Sequence, residues 1–268
     1  MRPAFRLVGL LLAAFGATCL ALPAHQGAAS AETQTLVDRI VRRGALRVGV
    51  TGDYRPFDWR NHATGIYEGF DIDQAGALAA ALGVRAEFVQ TTWSTLAADF
   101  AADRFDIAMG GVSITPERAA SGYFSIPYMQ DGKTPIARCA DKDKYADLAE
   151  IDRPDVRVIV NPGGANERFA RAHLKRAPIW VFPDNRTLFE EIAEGRADVM
   201  VTDASEARYQ ARRHPGVLCA VHPDAPFERA EKAYWMQPDE SLKTFVDAWL
   251  HTRLETGAVH ALTTRWMN

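Results

Sequence analysis

Apolar positions along this chain alternate between two periods. Leu36, Val37, Ile40 and Val41 recur at helical spacing and stop at Gly44, which predicts an amphipathic helix ended by a C′ glycine. Residues 46–50 then form a short apolar run, the pattern of a buried strand. The alternation continues with a helix capped by Asp71 and reaching residue 82, a strand over 86–89, a helix over 96–100 and a strand over 106–109. It restarts after Asp143, with strands over 156–160, 179–182 and 199–201 and helices over 167–174, 187–194 and 204–212. An extended run over 232–236, an amphipathic helix over 242–254 and a closing helix through Leu262 and Trp266 follow. Strands separated by helices predict an α/β fold whose sheets are mainly parallel and flanked by crossover helices. Two units of similar size predict two lobes. The first takes residues 32–133 and 232–268, and the second is the insert 134–231, with a two-segment hinge near 134–137 and 229–232. A ligand would lie between them, at the C-terminal ends of the strands.

Residues 1–31 stand outside this alternation. Arg2 and Arg6, an apolar stretch over 7–22 and the small residues Ala29-Ser30-Ala31 read as a signal peptide cut after Ala31. The stretch is short for a membrane span, and Gly16-Ala17-Thr18 before Cys19 matches a lipoprotein box poorly. The expected product is exported to the periplasm with no stable membrane association. Setting the two leader arginines aside leaves 29 of 31 Lys and Arg against 34 Asp and Glu, a formal charge of −5. With no basic block, nucleic acid is excluded as a partner. Cys139 and Cys219 remain after cleavage and are disulfide candidates in an oxidising compartment, as a staple or with a catalytic thiol as the other reading. A bridge over so long a loop stabilises by roughly 4–5 kcal/mol in the chain-entropy model. No Cys/His cluster has zinc spacing, so no metal is expected.

The candidate chemistry sits in loops after strands. Tyr54 and Phe57 follow the first strand, Trp93 the second, and Ser113 and Arg118 the third. The aromatic residues suit a wall for a flat substrate. The Arg118 guanidinium suits a carboxylate clamp, because it offers two parallel donors. Lys133 lies at the expected hinge, within reach of the cleft. Asp203 and Glu206 follow the last strand of the second unit and suit a substrate amino group. Asn161-Pro162-Gly163-Gly164-Ala165-Asn166-Glu167 is a glycine-rich strand-to-helix turn. The amides around Gly164 and Asn166 can hold an anion there. Glu167, in the first helical turn, is a poor companion for a bound carboxylate and a good proton donor.

The order of these pieces resembles the periplasmic solute-binding proteins for polar amino acids. Matching segments are Gly52-Asp53-Tyr54-Arg55-Pro56-Phe57, Gly69-Phe70-Asp71-Ile72-Asp73 and Ser113-Ile114-Thr115-Pro116-Glu117-Arg118. A closer resemblance, over nearly the whole mature chain, is to one branch of that fold, the periplasmic cyclohexadienyl dehydratases. It is carried by Asp131-Gly132-Lys133-Thr134-Pro135-Ile136, the 161–167 turn, Pro183-Asp184-Asn185, Thr202-Asp203-Ala204-Ser205-Glu206 and Cys219-Ala220-Val221-His222-Pro223. Ala165 departs from the threonine expected there.

The resemblance implies a two-lobed type II binding-protein fold. It also implies a lyase that turns prephenate into phenylpyruvate, or arogenate into phenylalanine, with loss of water and CO2. Glu167 would be the general acid, more readily protonated once the lobes exclude water, and no cofactor would be needed. The competing expectation is a non-catalytic amino-acid-binding protein of an importer, in which Glu167 merely complements the helix dipole. A sensor domain ranks below both, since no output segment follows Asn268. Oligomeric state, including a homo-oligomer, stays open.

Overall fold

The computed structural model describes Met1 and residues 34–267. The expected signal peptide therefore lies, Met1 apart, outside the described residues.

Two large sheets organise the chain, beside a small antiparallel one of Asp53–Tyr54, Asp58–Arg60 and Tyr67–Glu68. The first has the strand order Arg85–Gln90, Ala45–Val50, Ile107–Ala108, Trp235–Met236, Tyr123–Phe124. The second runs Ile179–Val181, Val158–Val160, Val199–Asp203, Met129–Arg138, Leu218–Ala220, with Glu228–Lys232 also paired to Met129–Arg138. The fold is α/β and two-lobed, but the sheets are mixed rather than mainly parallel. In each, three consecutive strands are parallel, and the remaining pairings are antiparallel. The reason is chain path. Strands on the segments that cross between the lobes join the sheets with reversed direction, and antiparallel neighbours need no crossover helix.

Met129–Arg138 has no counterpart among the predicted strands. It holds Asp131, Gly132, Lys133 and Pro135, residues that weaken a strand pattern. It is extended because Val199–Asp203, Leu218–Ala220 and Glu228–Lys232 all pair with it. Its first half, through Lys133, pairs with Glu228–Lys232, so the two crossing segments brace each other.

The helices pack by their apolar faces. Leu36 and Ile40 of helix Leu36–Arg43 are buried, as are Leu242, Val246 and Leu250 of helix Glu240–Glu255, all in the core of the first lobe. Gly44 ends the first helix with φ 68°, the left-handed conformation expected of it. Asp71 does not cap its helix. Helix Phe70–Ala81 begins after Gly69, and the buried Asp71 carboxylate accepts instead from the Gly111 amide at 2.6 Å and the Tyr128 hydroxyl at 2.9 Å. Cys139 and Cys219 are disulfide-bonded across 80 residues, tying the end of Met129–Arg138 to Leu218–Ala220. Among the described residues no helix is long and apolar enough to cross a membrane.

Candidate active site

Loops from both lobes surround a small cavity, with room of about 20 Å³ for water-sized contents. Tyr54, Trp93, Gly111, Ser113 and Arg118 line it from the first lobe. Asn161, Gly164, Ala165, Asn166, Asn185 and Asp203 line it from the second. The lobes touch directly around this space. The Tyr54 hydroxyl donates to Asp203 Oδ2 at 2.5 Å, and Asn185 Nδ2 donates to the Asp53 carbonyl at 3.2 Å. Gly163, at φ 77°, presses on Ser94. A Cβ there would lie 2.5 Å from Ser94 Cα, so only glycine permits this approach.

The aromatic wall is Trp93 and Tyr54, edge to face at 5.3 Å. Phe57 is not part of it. That ring is fully buried behind Tyr54, stacked on it at 5.3 Å, and belongs to the core of the first lobe. Gly111 fits beneath the pair because a Cβ would stand 2.5 Å from the Tyr54 ring.

Arg118 is buried, with its guanidinium 6.0 Å from the Trp93 ring. Burial and the neighbouring Arg168 lower it to about 10, so it stays charged at neutral pH. Its Nη1 donates to the Ser113 carbonyl at 2.9 Å. Among the described residues the rest of the fork has no hydrogen-bond partner, which leaves donors for a ligand carboxylate. Ser113 Oγ accepts from Lys232 at 3.0 Å, leaving its own hydrogen to donate.

Asp203 is the electrostatic centre. Lys133 Nζ donates to its Oδ1 at 2.5 Å, and Lys232 Nζ donates to its Oδ2. Burial works to raise this carboxyl, but the two lysines outweigh it and hold it well below the usual carboxylate range. A chain of donors leads away from it. Lys133 donates to Asn166 Oδ1 at 2.5 Å, Asn166 Nδ2 to Thr202 Oγ1 at 3.0 Å, and Thr202 Oγ1 to Glu206 Oε2 at 2.5 Å.

Glu206 therefore ends a buried network and does not reach the cavity to bind an amino group. Burial pushes it up to about 8, with the Asp203 charge adding to the rise, so it is mostly neutral at pH 7. Lys133, bound to Asp203 and Asn166, lines not this cavity but a neighbouring one that shares Ser113 and Ala165 with it.

Glu167 departs furthest from expectation. It does not line the cavity. One carboxylate oxygen accepts from the Gly163 amide at 2.6 Å, and the other pairs with Arg171 at 2.7 Å. The Gly163 hydrogen bond is the largest influence and, with Arg171, lowers this carboxyl despite partial burial. Lobe closure alone has not raised it, because these two donors outweigh the loss of water.

Sequence reasoning passed over Gly111, Asn161, Asn185 and Lys232. Lys232 is fully buried and donates to the Gly111 carbonyl at 2.8 Å, to Ser113 and to Asp203. A lysine directly before the apolar run Ala233-Tyr234-Trp235-Met236, on the segment that crosses opposite Lys133, was the available signal.

Comparison with known proteins identifies the family. Residues 46–268 match the model of the bacterial extracellular solute-binding proteins, family 3. The chain is 51% identical over 249 residues to the cyclohexadienyl dehydratase of Pseudomonas aeruginosa, covering 93% of this chain and 91% of that one. Among solved structures, it resembles an ancestral amino-acid-binding protein described as a precursor of cyclohexadienyl dehydratase. The TM-score is 0.79 at 37% identity, over 87% of this chain and 99% of that one. An ancestral cyclohexadienyl dehydratase is 52% identical, with a TM-score of 0.55 over 87% of this chain and 97% of that one. The chain thus belongs to the bacterial extracellular solute-binding proteins, family 3, on the branch that holds cyclohexadienyl dehydratase.

Proposed function

We propose that the protein is a periplasmic carbon–oxygen lyase converting prephenate to phenylpyruvate, and arogenate to phenylalanine, with loss of water and CO2. Its relatedness to a dehydratase supports the reaction class. The observation that carries the reading over amino-acid capture is Asp203. In a binder, a carboxylate at this place could take a ligand's ammonium group. Here both oxygens are already engaged by Lys133, Lys232 and Tyr54. Lys133, Lys232 and Arg118 stand near two buried carboxylates, Asp203 and Asp131, which leaves an excess of one positive charge, a field that suits an anion such as prephenate.

In this reading one substrate carboxylate takes the free donors of Arg118 and Ser113. The other takes the amides at the start of helix Ala165–His173. That anion competes for the donors that hold Glu167. Displaced from Gly163, Glu167 loses the main influence that keeps it ionised, and the nearby negative charge favours its protonated form. The carboxylate on the ring then leaves as CO2. Its C–C electron pair enters the ring, the C–O bond breaks, and Glu167 donates the proton that turns the departing hydroxyl into water. Reprotonation of Glu167 completes the cycle. The lobes hinge on the paired crossing segments.

The test is metal-free mature protein mixed with prephenate or arogenate, followed by product absorbance. Turnover, with higher kcat/KM for prephenate, is the expected result. No turnover, with thermal stabilisation by an amino acid instead, would return the protein to solute capture. Arg118→Ala should raise KM for prephenate about 30-fold, roughly 2 kcal/mol for an unpaired buried carboxylate. An unchanged KM would remove the clamp.

A further inference from the structure

Asn185 sits in the turn between strand Ile179–Val181 and helix Leu188–Ala193, at the C-terminal end of a parallel strand. It is only 6% exposed and lines the cavity. Its two amide atoms are in different situations. Nδ2 donates across the cleft to the Asp53 carbonyl at 3.2 Å. Because that partner can only accept, the orientation of the amide follows, and Oδ1 is the remaining atom. Oδ1 is buried and has no hydrogen-bond partner among the described residues. A buried acceptor left unpaired is costly, and such groups commonly mark a place that a ligand completes. The other polar groups of the cavity do not have this character. Asn166 and Asp203 are spent on lysines and threonine, while Arg118 and Ser113 offer donors.

Arg118 and Ser113 thus offer donors for carboxylates, while Asn185, on the wall of the same cavity, carries an unpaired buried acceptor, and a ligand group that reaches it must be a neutral hydroxyl or amine donor. We infer that Asn185 Oδ1 accepts a hydrogen bond from the ring hydroxyl of the substrate, the group that leaves as water. This inference rests on the dehydratase reading. Held by its hydrogen, the hydroxyl turns an oxygen lone pair away from Asn185 and toward the proton donor. No proton passes to the amide. Since Nδ2 grips Asp53 only when the lobes meet, the same side chain couples recognition of the hydroxyl to closure.

The experiment compares two ligands on Asn185→Leu: prephenate, which has the ring hydroxyl, and phenylpyruvate, which lacks it, measured as a competitive inhibitor. Circular dichroism and a thermal melt check folding, and Asn185→Ala replaces the leucine variant if that one is unstable. The expected result is a loss of about tenfold or more in kcat/KM for prephenate, with the inhibition constant of phenylpyruvate changed by less than about threefold. Equal losses for both ligands would make Asn185 a latch between lobes and nothing more, which overturns the inference. Unchanged kcat/KM would overturn it as well. A wild-type protein that fails to turn over prephenate removes the reaction and this role together. Normal wild-type turnover that is insensitive to the substitution removes the role alone.

Discussion

Glu167→Gln abolishes most turnover of prephenate, by about a thousandfold, within the usual range for a general acid. The variant folds normally. Glutamine still accepts from the Gly163 amide, and the lost pair with Arg171, whose side chain is 57% exposed, is worth less than about 1 kcal/mol. The pH dependence gives an independent check. In the free protein Glu167 lies below its ordinary value of 4.5 and is ionised at neutral pH. The proposed reaction uses the protonated form, so in it a proton enters with the substrate. The protonated fraction of the free protein falls as pH rises. Log kcat/KM should therefore fall with a slope near −1 between about pH 5.5 and 7, below the range in which Glu206 titrates. Steady-state rates across that window decide the matter. A flat kcat/KM, together with a glutamine variant that keeps most of the wild-type rate, would take the acid role from Glu167.

Lys232→Met should cost about 3 kcal/mol of stability and lower Tm by about 10 °C. Methionine matches the volume of the lysine stem, so little packing is lost. What is lost is the charge facing Asp203 and the donors to the Gly111 carbonyl and Ser113. Asp203 keeps Lys133 and Tyr54, which limits the damage, but the Gly111 carbonyl loses a buried partner. Adding Asp203→Asn should recover part of the loss, because the uncompensated charge is then gone. Thermal melts of the two single variants and the double variant measure the coupling. A shift below about 3 °C for Lys232→Met would mean that Lys133 alone satisfies Asp203.

These two residues illustrate what a sequence can reveal here. Glu167 stood out as a candidate because it lies within one local motif, a glycine-rich turn with an acid in the first helical turn. Even so, its actual partners, Gly163 and Arg171, make it an ionised helix-end carboxylate until something displaces it. Lys232 was not legible as a site residue. A lysine on an extended segment ordinarily faces water, and only the crossing of that segment beneath Asp203 and Gly111 buries it. Asp71 and Glu206 misled for the same reason in reverse. Each has a plausible local role, as a cap or as an anion for an amine, yet each is claimed by partners from elsewhere or by a buried network.

The sequence by itself determined the features that depend on near neighbours. These are the alternation of strands and helices, the glycine that ends helix Leu36–Arg43, and the loops that carry Tyr54, Trp93, Ser113 and Arg118. Periodicity and turn chemistry act over a few residues, so they are readable along the chain. The tertiary structure alone decided that Met129–Arg138 is a strand, that Phe57 is core, and that two lysines neutralise Asp203. It also left Asn185 with one free acceptor. Each of these depends on pairing or burial between residues distant in sequence. The energy of a buried charge or an unpaired amide oxygen is set by what surrounds it in space, and no local pattern records that.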